Sequence, residues 1–129
     1  MAHNIPTDLK YTKDHEWTKI EGDIVTIGIT DYAQSSLGDI VFVELPESGR
    51  ELALHQTFGV VESIKSVSDL FSPISGLVVE SNNDLVSSPE NCNASPYENA
   101  WMIKVKLANK SELDALLTAA EYEEYLSTL

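Results

Sequence analysis

Hydrophobic positions fall in short runs separated by Gly, Pro, Asn, Asp and Ser, which is the punctuation of a mainly β chain. His15–Ile20 and Ile24–Ile29 read as two strands, turned at Glu21-Gly22-Asp23. Thr30 or Asp31 is placed to cap a short helix ending near Leu37, with Gly38 as its stop. Ile40–Leu45 predicts a strand closed by Pro46, and Glu51–Leu54 an edge strand or connection rather than a helix. Phe58–Val61 and Leu70–Phe71 flank a polar break, a pattern that predicts a β-hairpin with Lys65 at or near its tip. Gly76–Glu80 is a further strand, ended by Asn82-Asn83-Asp84. Ser87–Asn93 reads as a loop with one helical turn by Pro89. Trp101–Leu107 alternates, with Lys104 and Lys106 on the wet face, and Trp17 is expected in the core. Residues 1–10, with Pro6, read as a loosely held arm.

The tail changes period. Ser111…Asp114 and Thr118…Glu121 each have the spacing of a capping box, so two short helices are expected over residues 111–127. Leu113, Leu116, Leu117, Tyr122, Tyr125 and Leu126 give them apolar faces to lay on a sheet. The pattern predicts one mainly β domain spanning residues 1–129. Its expected form is a two-sheet β-sandwich with a short internal helix and C-terminal helices. Repeats, linkers and low-complexity segments are not seen.

Composition narrows the function. At 129 residues and 43% hydrophobic content the chain supports a single core. A formal charge of −13 argues against nucleic acid or an anionic membrane as partner, and favours basic patches on other proteins. No apolar run is long enough to span a bilayer, and the N-terminus lacks a signal or transit pattern, so a bacterial-type cytoplasmic location is expected. The single Cys92 forms no internal disulfide, and His3, His15 and His55 are too scattered for a metal site.

Lys65 is then the residue of interest, one of only eight basic side chains beside 21 acidic ones. A turn lysine is ordinarily solvated and inert. The alternative is an ε-amine exposed for covalent attachment of a carrier group. Spacing alone leaves both open.

The neighbouring residues point to attachment. Val61-Glu-Ser-Ile-Lys65-Ser-Val-Ser-Asp69 and Ser72-Pro-Ile-Ser-Gly76 closely resemble the lipoylation hairpin of glycine cleavage system H proteins. The matching positions are Glu62, Lys65, Ser68, Asp69, Pro73, Ser75 and Gly76. Tyr11-Thr…His15-Glu-Trp17, Gly28-Ile-Thr30, Ala33-Gln34, Leu37-Gly-Asp39, Leu45-Pro-Glu47, Ser95-Pro-Tyr97 and Trp101 extend the resemblance over almost the whole chain.

The resemblance implies a lipoyl-type sandwich and a non-enzymatic carrier with lipoic acid amide-linked to Lys65. Its partners would be a pyridoxal-phosphate glycine decarboxylase (P protein), an aminomethyltransferase (T protein), dihydrolipoamide dehydrogenase (L protein) and a lipoate-attaching enzyme. Glu62 and Gly76 would guide attachment, or merely set the hairpin. Asp14, Glu16, Tyr32 and Asp69 would line a cleft that shelters the aminomethyl-loaded arm, carboxylates suiting a protonated amine. Tyr32 stands where the family commonly has His, and Glu98-Asn-Ala-Trp101 departs from the usual stretch there. Glu16 has an ordinary exposed strand carboxylate as its plain alternative.

Three rival readings compete with this one. Lipoyl and biotinyl domains of other complexes centre on Asp-Lys-Ala or Met-Lys-Met, unlike Ile64-Lys-Ser66. A Schiff-base lysine needs a depressed pKa, and Glu62 and Asp69 would act the other way. A relay carrier that donates lipoyl groups to other lipoyl domains uses the same hairpin and stays open.

Overall fold

Among residues 3–129, which the computed structural model describes, nine strands form two antiparallel sheets. They are β1 (Lys10–Tyr11), β2 (Glu16–Glu21), β3 (Ile24–Ile29), β4 (Ile40–Glu44), β5 (Glu51–Leu52), β6 (Thr57–Ser63), β7 (Val67–Phe71), β8 (Gly76–Ser81) and β9 (Ile103–Leu107). The larger sheet runs β1-β2-β3-β9-β8-β5 and the smaller β4-β6-β7. The expected two-sheet, mainly β architecture is what the chain forms.

Period-2 patterning sets the packing. Val25, Ile27 and Ile29 of β3, with Val78 of β8 and Ile103 and Val105 of β9, face inward from the larger sheet. Ile40, Val43, Phe58, Val61 and Leu70 meet them from the smaller one. A one-residue slip in any of these strands would turn its apolar set to solvent, so the registers are strongly specified. Gly76 opens β8 opposite Leu107 and Leu52. A β-carbon there would overlap the Lys106 carbonyl and come within 2.6 Å of Val105 Cγ1, so close strand approach requires glycine. A left-handed backbone is not the reason, because Gly76 is not among the positive-φ glycines.

Helix α1 (Asp31–Leu37) begins as expected, with Thr30 Oγ1 accepting from Ala33 N–H. It ends at Gly38, whose φ of 84° suits glycine. Helix α4 (Ala119–Leu126) carries the expected capping box between Thr118 and Glu121. Tyr122 from α4 stacks on Tyr11 with ring centroids 4.8 Å apart. Leu9, Tyr11, Trp17, Ala119 and Tyr122 form a second buried cluster under that helix.

Several sequence expectations are corrected. Residues 1–10 are not a loose arm over their described part. Leu9 is buried, Lys10 begins β1, and Tyr97 Oη donates to the Asn4 carbonyl at 2.6 Å. The first tail helix is a 3-10 turn, Lys110–Ala115, capped by Asn109 rather than Ser111. Asn109 Oδ1 takes Ser111 N–H, and Glu112 instead bonds Ser75 through both carboxylate oxygens at 2.7 Å. Asn83–Ser87 is a short helix, α2, anchored by buried Leu85 where only a strand end was expected. The single turn after Pro89 is α3 (Asn91–Ala94). No helix among the described residues is long and apolar enough to cross a membrane.

Candidate functional site

Strands β6 and β7 form the expected hairpin, in register Glu62↔Val67, Val61↔Ser68 and Val60↔Asp69. The turn is Ile64-Lys65-Ser66. Ser63 holds it together. Its N–H donates to the Ser66 carbonyl at 2.8 Å, while its Oγ accepts from the Lys65 and Ser66 amides. Ile64 N–H donates to the Asp39 carbonyl at 3.2 Å, pinning the tip to the loop after α1. Lys65 is exposed, and among the described residues its ammonium has no salt-bridge partner. Its Cε passes 3.6 Å from where a β-carbon would stand on Gly38.

Helix α1 links that lysine to a second feature. At its start, Thr30 N–H donates to the His15 carbonyl at 3.0 Å. Seven residues at 1.5 Å each make the helix roughly 10 Å long. The turn before β2 therefore lies about one short helix from Lys65.

That turn is built on Thr12. Its Oγ1 accepts from the Asp14 and Glu16 amides at 3.2 Å and donates to Glu16 Oε1 at 2.8 Å. His15 takes a left-handed backbone, φ 68°, between Asp14 and Glu16. Its Nδ1 meets Tyr122 Oη at 2.9 Å, and burial lowers its pKa against the opposing charge of Asp14.

Glu16 is not an exposed strand carboxylate: it is 2% exposed. Its Oε2 accepts from Phe71 N–H of β7 at 3.2 Å, so one carboxylate ties the larger sheet to the smaller. Burial pushes its pKa up to about 7, the Thr12 and Phe71 hydrogen bonds working against the rise. Two of roughly four lone-pair positions are thus occupied, leaving acceptor capacity for a guest.

Asp14 and Glu16 border a cavity of about 210 Å³. Leu54, Pro73 and the segment Ala115–Leu117 make most of its surface apolar, and Lys13 and His55 complete its polar part. His55 also has a left-handed backbone, φ 67°. Asp69 is exposed on β7, two residues before Phe71, and is not one of the lining residues. Tyr32 also lies outside the lining: in the first turn of α1 it packs on His15, centroids 4.6 Å apart, and on the edge of His3. The four residues expected in one cleft are therefore split, with Asp14 and Glu16 together, Asp69 on the adjoining strand and Tyr32 across the His15 ring.

Sequence reasoning did not single out Thr12, His55, Leu54 or Ala115–Leu117 as site residues. Thr12 had a local signal, a hydroxyl four residues before a carboxylate at a strand entrance. The others come from distant segments and had none.

Glu62 lies half-buried in β6 between Phe42 and Val67, whereas Gly76 belongs to the other sheet. Cys92 is fully buried, and burial pushes its thiol up to about 12.

Comparison with known proteins agrees with these observations. The family model described as glycine cleavage H-protein matches residues 9–129. A glycine cleavage system H protein of Staphylococcus haemolyticus is 60% identical over 122 residues, covering 95% of this chain and 97% of that protein. One from Staphylococcus carnosus is 59% identical over the same length. The crystal structure of a glycine cleavage system H protein from Mycobacterium marinum superposes with a TM-score of 0.87 at 41% identity. That alignment covers 95% of this chain and 99% of the other.

Proposed function

This chain belongs to the glycine cleavage H-protein family, and from that membership we propose that it is a non-enzymatic carrier with a lipoyl group amide-linked to Lys65. The observation that carries the reading is the exposed Lys65, without a salt-bridge partner among the described residues, at the tip of a hairpin braced by Ser63 and Asp39. Such an amine is open to an attaching enzyme. When attached, the lipoyl group supplies thiol–disulfide chemistry and carries the aminomethyl unit of glycine from P protein to T protein, with L protein restoring the disulfide.

The chain's own residues have three tasks. The hairpin presents the arm. The cavity beside Glu16 gives the arm's alkyl length an apolar wall, and Asp14 and Glu16 give a protonated amine acceptors at one end. Asp69 extends the acidic border along β7. A carboxyl titrating near neutrality is suited to this, because an arriving ammonium lowers its pKa and releases its proton. Tyr32 acts one step back by packing on His15, which shapes the turn that carries Asp14 and Glu16. Buried Cys92 stays protonated and cannot enter disulfide exchange with the arm. Glu62, facing outward beside the turn, is a recognition contact for the lipoate-attaching enzyme, whereas Gly76 acts through the close β8–β9 approach.

Intact mass spectrometry after incubation with a lipoate-attaching enzyme and lipoate tests the assignment. One lipoyl increment is expected on the wild type and none on Lys65→Arg, which keeps the charge but not an acylatable amine. The lipoylated form, with P protein, should then exchange the carboxyl carbon of glycine, and the unmodified form should not. A lipoyl peptide mapping to Lys13 or Lys19 would overturn the assignment.

A further inference from the structure

We propose that the outward face of the β4-β6-β7 sheet is the docking face for the lipoate-attaching enzyme, with Val41, Phe42, Ile64 and Val67 as its apolar centre. The proposal rests on Lys65 as the attachment site and adds the surface by which that enzyme is held.

Ten large apolar side chains are exposed among the described residues, and four of them gather on β4 and the hairpin. Val41 is 54% exposed, Phe42 44%, Ile64 73% and Val67 65%. Cross-strand register places Phe42, Glu62 and Val67 in one row. Strands lie roughly 4.8 Å apart, so the row spans about 10 Å and ends beside the Ile64-Lys65 turn. A β-bulge between Ile40 and Phe42 creates part of this face. Ordinary alternation would bury one of Val41 and Phe42; the bulge turns both outward while Ile40 and Val43 stay in the core. Exposing two adjacent apolar residues opposes solubility, which marks the face as a contact surface.

Charge indicates what covers it. The next row is Glu44, Val60 and Asp69, and Glu62 lies within the apolar row. None of the six side chains in these two rows is basic, and Lys65 stands at the tip beside the first of them. The complementary surface is an apolar patch flanked by Lys or Arg.

Reach selects the attaching enzyme over the enzymes that act on the loaded arm. Attachment forms the amide between Lys65 Nζ and the carbonyl carbon of an activated lipoyl donor. The donor's leaving group departs, and the amine gives up a proton. The enzyme must bring that carbon within one lysine side chain of the backbone, so its surface closes over Ile64 and the Phe42–Val67 row. Enzymes that act on the arm's distal sulfurs are met at the arm's length and need not touch these residues.

The test uses purified full-length carrier and attaching enzyme, with the initial rate of lipoylation followed against carrier concentration. Phe42→Ser lies on a strand that does not carry Lys65, and Val67→Thr keeps a β-branched strand residue. Each should raise KM for the carrier on the order of tenfold, as truncation of a central contact does, with kcat little changed. Thermal unfolding should be unaltered. The variants, once fully lipoylated by prolonged incubation, should support glycine carboxyl exchange with P protein at the wild-type rate. Normal lipoylation kinetics in both would overturn the proposal. So would normal attachment with impaired exchange, which would give the face to P protein, or a wild-type dimer dispersed by Phe42→Ser in sedimentation, which would give it to a second copy. Failure of the wild type to accept lipoate at Lys65 would instead sink the underlying assignment.

Discussion

Replacing Glu16 with glutamine isolates the energetic role of the buried carboxylate. In the wild type its pKa rises from 4.5 in the unfolded reference to about 7, mainly because burial disfavours the charged form. The folded state therefore holds a proton that the unfolded state has already released across that window. Stability from this group is greatest below pH 4.5 and falls as pH rises towards 7. At 1.36 kcal/mol per unit, about 2.5 kcal/mol is lost between pH 5 and pH 8. Glutamine does not titrate, so its variant lacks this slope. It does lose one acceptor, since a single amide oxygen cannot serve both Thr12 and Phe71. The orphaned group costs about 1–3 kcal/mol at every pH. Glu16→Gln should therefore be clearly destabilised at pH 5 and close to the wild type at pH 8. Urea unfolding of both proteins at several pH values reads the difference directly, because the other carboxylates cancel. Parallel stability curves for the two proteins would show that Glu16 is not held at a raised pKa, and would remove the proton-release step from the carrier's cavity.

Gly76→Asn should destabilise the fold by about 1–3 kcal/mol or more, because any β-carbon meets the Lys106 carbonyl and Val105. The fraction that stays folded should be lipoylated at a near-normal rate, measured by mass shift per folded molecule; a stable but poorly modified variant would make Gly76 a recognition residue. Thr118→Ala removes the cap of α4 and should lower stability by about 1 kcal/mol in thermal unfolding.

The strands, the hairpin and α1 were legible because their information is local. Alternation sets which face is buried, and Thr30, Gly38 and Thr118 announce helix ends by residue type. What escaped depends on contacts remote in sequence. Asn82-Asn83-Asp84 reads as a turn, yet buried Leu85 draws the chain into α2. Residues 3–10 look loose until Leu9 and the neighbouring Tyr11 find Tyr122 and Ala119 under the last helix. The N-terminal strap is therefore decided by the C-terminal helix, and neither segment carries the information alone.

The candidate cavity was the least legible part, for a related reason. The resemblance supplied Asp14 and Glu16, but their local spacing gives no sign that Glu16 would be buried. Its acceptor role is fixed by Phe71, 55 residues away. The cavity wall comes from three further segments, around Leu54, Pro73 and Leu116. The backbone nevertheless marks the place. The two non-glycine residues with positive φ among those described are His15 and His55, one between the two carboxylates and the other in the lining. Such conformations cost on the order of 1–3 kcal/mol each and persist where surrounding contacts overdetermine them. His15 has those contacts: Tyr122 and Tyr32 hold its ring, and its carbonyl anchors the start of α1. The same strained residue thus turns Glu16 into the sheet junction and sets the origin of the helix that ends beside Lys65. Presentation of the lysine and placement of the carboxylate are coupled through one turn.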